Sequence, residues 1–404
     1  MIYLINLIKY IRGGLSLKQV STPETWGDKN KKLIVELLKS EGALSRAEIS
    51  RRTSMSFPAV SSNVQFLLDH GYIKESGTGN NTLGRKAMLL SFNAEKGIVI
   101  GLDLGRSSTS LILSNLLGEA LYKVSKDVDI HHGRLNIIDH LDNLIANALV
   151  KNDISKKDLL CIGIGIPGVI DNETGSIMLA PFAENWSNYN LVEGLQARYS
   201  CPIRFENSVN LGALGEKWKG VGVPYSNIFC INYSIGIGSA LILNNELFTG
   251  SNGIAGEIGY SIPTPSHIRQ TYAEEGALEE LISGRALDER VKSMQIGCNS
   301  LKELFESNHG EHDAIKQEII EEIKNLFFVI LLASVSIINP DVVILSGRIG
   351  INIGRLLLSD WEKALAAHVK YPPKLVISES GSLANVYGAV RFALAHVEDD
   401  LCAS

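Results

Sequence analysis

The chain has 404 residues, 45% hydrophobic and 20% charged, with a net charge of −6, which is an ordinary globular composition long enough for two or three domains. Five cysteines (Cys161, Cys201, Cys230, Cys298, Cys402), odd in number, scattered and without a C-x-x-C pair, argue against a disulfide framework or a sequence-local zinc site and imply reduced thiols in a cytoplasmic protein. The charge is uneven: residues 1–27 carry +2 and 28–90 carry +4 (ten Lys/Arg against six Asp/Glu), leaving −12 for the rest, so a basic module precedes an acidic body, the asymmetry expected of a nucleic-acid-binding head.

Residues 1–26 form an N-terminal extension. Its run Met1 to Ile11 is apolar, but Lys9 and Arg12 follow the apolar part, no small-residue cleavage site comes after, and the run is too short to span a bilayer. An accessory amphipathic helix or an early translation start accounts for it equally well.

A first helix is expected over Asp28 to Lys39, where Leu33, Ile34, Leu37 and Leu38 recur at helical spacing before Gly42. A second begins at Ser45-Arg46-Ala47-Glu48, a capping box, and Ser54-Met55 turns the chain. A third opens at Ser56, tolerates Pro58 in its first turn where no N–H is required, buries Val60, Val64, Leu67 and Leu68, and stops at His70-Gly71. Tyr72 to Glu75, a Gly/Asn-rich tip (Gly77 to Gly84) and Ala87 to Leu90 complete a winged helix-turn-helix pattern over residues 27–92. In such a module the third helix enters the major groove, so Ser56, Phe57, Pro58, Ser61, Ser62, Asn63 and Gln65 are candidates for contact with bases and phosphates. Arg85 and Lys86 at the base of the wing would reach phosphates or the minor groove. The competing reading is a small helical dimerisation module with a solvated polar face.

Beyond residue 92 the composition changes. Ile98 to Gly105 reads as a buried strand entering a glycine turn, with further strands at Leu159 to Gly168, Ile228 to Leu243 and Val342 to Gly347, alternating with helices such as Leu135 to Leu149 and Ile315 to Ile338. The fold class is therefore α/β. Gly163-x-Gly165-x-x-Gly168 has the spelling of a dinucleotide fingerprint, yet Pro167 sits inside the turn and Val169-Ile170-Asp171 continues extended where a helix should begin, which disqualifies it.

From about Ile98 onward the chain resembles the ROK family of repressors and sugar kinases. Gly101-Leu102-Asp103-Leu104-Gly105 stands at the family's first phosphate loop, Gly165 to Asp171 matches I-P-G-x-x-D, and Glu206-Asn207-Ser208-Val209-Asn210 matches E-N-D-x-N. Gly236-Ile237-Gly238, Gly250 to Tyr260 and Asn339-Pro340-Asp341 also fit. The resemblance implies a two-lobed, duplicated ribonuclease-H-like, actin-like body over residues 93–404, and the winged head is what the repressor branch carries.

The departures bear on function. Family kinases use the Asp of E-N-D-x-N as general base; Ser208 stands there, and a hydroxyl cannot take that role near neutral pH, where such a base supplies ~10²–10⁴-fold. Arg106, Ser234-Ile235, and Ser346 and Arg348 around Gly347 replace glycines or a Gly-Thr that would cradle phosphates. The family's zinc ligands are replaced by Tyr260, Gln270, Tyr272 and Ala277, with His267 alone nearby, so neither metal nor other cofactor is expected. By resemblance, Asn207, Glu257 and Glu279 hydrogen-bond sugar hydroxyls, Ser208, Tyr260 and Gly168 line the same pocket, and Asn185-Trp186 adds a platform or a core residue. The expectation is a non-enzymatic, sugar-responsive repressor that binds a pseudo-palindromic operator as a homodimer or tetramer. Its rivals are a kinase with residual ATP-dependent phosphotransfer and a regulator governed by a protein partner.

Overall fold

The computed structural model describes residues 26–78, 87–105, 108–128, 136–170, 177–179, 191–269, 276–307, 310–381 and 383–400. Arg85, Lys86, Arg106, Asp171, Asn185, Trp186, Gln270 and Tyr272, and the extension before Trp26, lie outside these residues. The chain divides into two compact units, one comprising residues up to Ala94 together with 397–404 and the other Glu95–His396.

The first unit contains α1 (Trp26–Glu41), β1 (Leu44–Ser45), α2 (Arg46–Thr53), α3 (Phe57–Asp69), β2 (Ile73–Thr78) and β3 (Met88–Phe92). Ser45 caps α2 in a complete capping box: its Oγ accepts from the Glu48 N–H at 3.3 Å while the Ser45 N–H donates to Glu48 Oε2 at 2.8 Å. The Ser45 backbone N–H, and then its hydroxyl, which donates to Glu48 Oε2 at 2.7 Å, hold the Glu48 carboxyl below its ordinary range. Ser54 turns the chain with φ 58°, and Ser56 caps α3 with Pro58 in the first turn. The strands pair antiparallel in the order β1-β3-β2.

Ile34, Val35, Leu38, Ile49, Val60, Val64, Leu67, Ile73 and Leu90 fill the core, each fully buried aliphatic contributing about 1.5–3 kcal/mol. Two expectations are corrected. Leu33 is exposed, because the buried stripe of α1 runs along Ile34, Val35 and Leu38; Leu68 is half-buried, because it lies at the edge of the stripe defined by Val60, Val64 and Leu67. Lys32 and Lys39 pair with Asp399 and Glu398 at the chain's last helix, within the same unit.

The second unit repeats one topology twice. The first lobe has β4 (Ile98–Leu104), β5 (Ser108–Asn115), β6 (Ala120–Asp127), α4 (Ile137–Lys151), β7 (Leu159–Ile166), β8 (Val169–Ile170), β9 (Ile177–Leu179), α5 (Leu191–Gln196), β10 (Ile203–Asn207) and α6 (Ser208–Lys219). Its sheet order is β10-β7-β4-β5-β6, parallel between β10, β7 and β4 and antiparallel from β4 through β6. The second lobe has β11 (Ile228–Tyr233), β12 (Ile237–Leu243), β13 (Glu246–Phe248), α7 (Ala277–Ile282), α8 (Gly284–Ser293), α9 (Leu301–Glu306), α10 (Asp313–Ile338), β14 (Val342–Ser346), α11 (Arg348–His368), β15 (Lys374–Ile377) and α12 (Leu383–Asp400). Its order β15-β14-β11-β12-β13 reproduces the first: a three-stranded meander with two parallel strands added beside its first member.

The segment Ile228 to Leu243, expected as a single strand, is a hairpin. The chain reverses at Ser234-Ile235-Gly236, where the Ser234 N–H donates to the Gly236 carbonyl at 2.9 Å. An apolar run signals burial, and its length does not reveal a reversal inside it. The β12–β13 connection turns on Asn244 and Asn245, both with positive φ, the conformation a two-residue hairpin requires and asparagine tolerates.

Glycines set the closest contacts around the first lobe. A Cβ on Gly388 of α12 would sit 1.7 Å from the Leu211 carbonyl oxygen of α6, and one on Gly215 would sit 1.9 Å from that of Ala384. The two helices therefore cross backbone to backbone, which fixes Asn385 beside β4. Asp341 is structural: its Oδ2 accepts from the N–H groups of Ser226 (3.2 Å) and Asn227 (2.8 Å), closing the entry to β11.

Candidate functional site

A cavity of ≈ 480 Å³ opens between the two lobes of the second unit, where the carboxyl ends of β4, β7, β10, β11 and β14 meet. Its volume lies in the range of small-molecule sites. All six sequence-expected pocket residues, Gly168, Asn207, Ser208, Glu257, Tyr260 and Glu279, line it.

Asn207 ends β10 and caps α6: its Oδ1 accepts from the Val209 N–H at 2.7 Å, and its Nδ2 donates to the Gly168 carbonyl at 3.1 Å. One amide hydrogen is left for a ligand. Glu279, in the first turn of α7, accepts from the Ile237 N–H at 2.6 Å, so it also braces β12. It reaches this place because Gly276 and Gly259 meet without side chains; a Cβ on Gly276 would lie 2.0 Å from the Gly259 carbonyl oxygen.

Glu257 is half-buried in the cavity wall, and its carboxylate has no hydrogen-bond partner among the described residues. Burial, and then the nearby Glu279, raise its carboxyl above the usual range. Burial followed by the two carboxylates raises the Tyr260 phenol. A carboxylate so placed at Glu257 suits a ligand rich in hydroxyl donors.

Ser208 is the first residue of α6. Its hydroxyl donates to Asp103 Oδ1 at 2.6 Å, and Asn385 Nδ2 donates to Asp103 Oδ2 at 3.2 Å. Asp103 is buried, and burial pushes its carboxyl up to about 6 against the opposing effect of these two hydrogen bonds. Gly165 makes the arrangement possible: a Cβ there would stand 2.7 Å from Asp103 Oδ1 and 3.1 Å from Ser208 Oγ. Of the glycines spelled like a dinucleotide fingerprint, Gly165 thus makes room for a buried carboxylate, while Gly163 makes room for the Ala389 carbonyl of α12.

Sequence reading missed Asp103 and Asn385 as pocket residues. The signal for Asp103 was an acidic residue in an otherwise apolar strand, whereas nothing local marks Asn385, which a helix 282 residues away in sequence delivers.

The second-lobe side of the cavity is lined by Ser234, Ile235, Gly236, Gly238, Gly347, Arg348 and Ile351. Gly347 is required, with φ 78° and a would-be Cβ 2.5 Å from the Tyr233 carbonyl oxygen, whereas Ser346 is drawn into the sheet, donating to the Ile231 carbonyl at 3.0 Å. His267 forms a local contact with Thr264 at 2.6 Å, and among the described residues no three His, Cys, Asp or Glu side chains cluster as metal ligands would.

In the head, Ser56, Phe57, Pro58, Ser62 and Gln65 are exposed along α3, with Phe57 54% accessible; Ser61 and Asn63 are half-buried. Asn63 Nδ2 donates to the Ala59 carbonyl at 2.8 Å and Gln65 Nε2 to Asp69 at 2.8 Å, so each retains only part of its hydrogen-bonding capacity. Arg51 and Arg52, exposed at the end of α2, were not among the sequence candidates although they sit where the preceding helix of such a module meets the phosphate backbone.

The ROK family profile matches residues 99–396. The chain belongs to the ROK family. A winged helix-turn-helix DNA-binding profile matches residues 27–74, so this ROK protein carries a DNA-binding type of head. It is 30% identical over 331 residues to the xylose repressor of Caldicellulosiruptor bescii, covering 79% of this chain and 83% of that one. It is also 30% identical over 266 residues to the xylose repressor of Bacillus subtilis, covering 66% and 68%. In fold it is similar to a ROK family transcriptional regulator described as a homolog of the E. coli MLC protein (TM-score 0.74, 21% identity, 93% of this chain and 98% of that one). A ROK hexokinase from Thermus thermophilus is similar over 75% of this chain and 99% of its own (TM-score 0.62, 24% identity).

Proposed function

We propose that this ROK protein is a sugar-responsive transcriptional repressor of carbohydrate uptake or catabolism genes, and that it is not an enzyme. The observation that carries the non-enzymatic reading is the Ser208–Asp103 hydrogen bond: the family's base position holds a hydroxyl whose proton is already given to a buried carboxylate, leaving no group there to accept the proton of a sugar hydroxyl. The head supports operator binding through α3, with Phe57 available to a thymine methyl, Asn63 and Gln65 to adenine, and Arg85 and Lys86 to the backbone or minor groove. The cavity supports a sugar held by Asn207, Glu257, Glu279, Tyr260, Ser208 and Gly168; the names of the xylose repressors favour a pentose.

The protein would work in the cytoplasm; no helix among the described residues is long and apolar enough to cross a membrane. Val329, Ala333 and Ile337 form an exposed stripe at i, i+4 and i+8 on α10, which supports pairing of two copies and, with it, recognition of a pseudo-palindrome. Sugar binding would favour one lobe arrangement, by no more than its differential affinity for the two. The test is fluorescence anisotropy on DNA from upstream of the protein's own operon, with and without a panel of sugars. Salt-sensitive binding reversed by one sugar supports the proposal, binding indifferent to every sugar refutes sugar control, and turnover in a parallel ATP assay refutes the non-enzymatic reading.

A further inference from the structure

The hydroxyl of Ser208 and the carboxylate of Asp103 do more than vacate a catalytic position. Asp103 receives two donors, Ser208 Oγ–H at 2.6 Å and Asn385 Nδ2–H at 3.2 Å, so its acceptor role is set from both sides. Ser208, having given its only hydrogen to Asp103, can offer a ligand lone pairs alone. Ser208, Asp103, Glu257 and Glu279 all line the same cavity, and its wall at these points therefore accepts hydrogen bonds and carries negative charge. A free sugar hydroxyl supplies the hydrogen such a wall lacks. A phosphate ester at that hydroxyl has oxygens in place of the hydrogen and brings about −1.5 to −2 charges toward the carboxylates.

We propose that Asp103 holds Ser208 as an obligate acceptor and that the pair determines specificity, admitting a sugar with a free hydroxyl at this position and excluding its phosphate ester. This rests on the sugar-binding reading above. Asn385 is a positioning residue: its contact to Asp103 depends on the glycine crossing of α6 and α12. The arrangement makes the Ser for Asp exchange a change of role, from taking a hydroxyl proton to selecting for its presence.

The test is calorimetric titration of the full-length protein, wild type, Asp103→Asn and Ser208→Ala, with D-xylose and D-glucose and with xylose 5-phosphate and glucose 6-phosphate, the fold of each variant being checked by circular dichroism. The wild type is expected to bind one free sugar at least ~100-fold more tightly than its ester, within the ~10⁴–10⁵-fold that a hydrogen-bonding site reaches. Asp103→Asn, which removes the charge at constant shape, should reduce that ratio at least tenfold; Ser208→Ala should weaken the free sugar while leaving the ester excluded, because Asp103 stays charged. An ester bound as tightly as its sugar, or a ratio unmoved by Asp103→Asn, overturns the proposal. If neither sugar nor ester binds, the sugar-binding reading fails for xylose and glucose and the discriminator falls with it.

Discussion

Asp103→Asn should remove a pH dependence of stability whose size follows from the site. A buried carboxyl lifted from 3.8 to about 6 represents about 3 kcal/mol at ~1.4 kcal/mol per pKa unit. The folded state holds the proton to higher pH than the unfolded chain, so the contribution is fully present below about pH 4 and is lost as pH rises through about 6. Between pH 5 and 8 the loss is about 1 kcal/mol. Asparagine cannot ionise and can still accept from Ser208 through its Oδ1, provided that Asn385 rotates its amide to present oxygen to the new Nδ2. The measurement is urea unfolding followed by circular dichroism at half-unit steps from pH 5 to 8. Subtracting variant from wild type cancels Glu206 and Glu257, which are also raised by burial. The difference should change by about 1 kcal/mol across that range, wild type losing more stability than the variant. Parallel curves would show that Asp103 is not desolvated as the fold requires, and the account of the pocket floor would fail.

Ser54→Gly should stabilise the head by about 0.5–1 kcal/mol, measured as a rise in the melting midpoint, because Ser54 occupies φ 58°, where glycine pays no steric penalty. Gly388→Ala should destabilise the larger unit by about 3 kcal/mol or more, or abolish soluble expression, since its Cβ would meet the Leu211 carbonyl at 1.7 Å; a loss below 1 kcal/mol would mean that α6 and α12 separate easily. Phe57→Ala and Asn63→Ala should each weaken operator binding by about 1–3 kcal/mol at unchanged melting temperature, whereas equal loss of stability would make them structural. Arg51→Ala should instead lower the slope of log affinity against log salt by about 1 with little effect on sequence preference, as seen by repeating the anisotropy titration at several salt concentrations.

What was legible from sequence was whatever depends on near neighbours in the chain. The capping box at Ser45 and Glu48, Ser56 before α3 and Pro58 inside its first turn each act within four residues, so the helix-turn-helix could be read directly. The pocket residues Asn207, Glu257 and Glu279 were found because the family patterns around them are local strings. The reversal at Ser234 to Gly236 was missed, because both strands are buried and apolar and nothing in their hydropathy marks where the chain turns back.

The sequence by itself determined the class of each unit, the serine at position 208 and the carboxylates that line the pocket. Only the tertiary structure decided what Ser208 does. Its partner Asp103 is 105 residues away and Asn385 lies 282 residues beyond Asp103. They meet because Gly165 leaves space at the end of β7 and because Gly215 and Gly388 let two helices cross at backbone contact. A hydrogen bond is set by distance and direction in space, and a glycine's value there lies in the side chain it lacks.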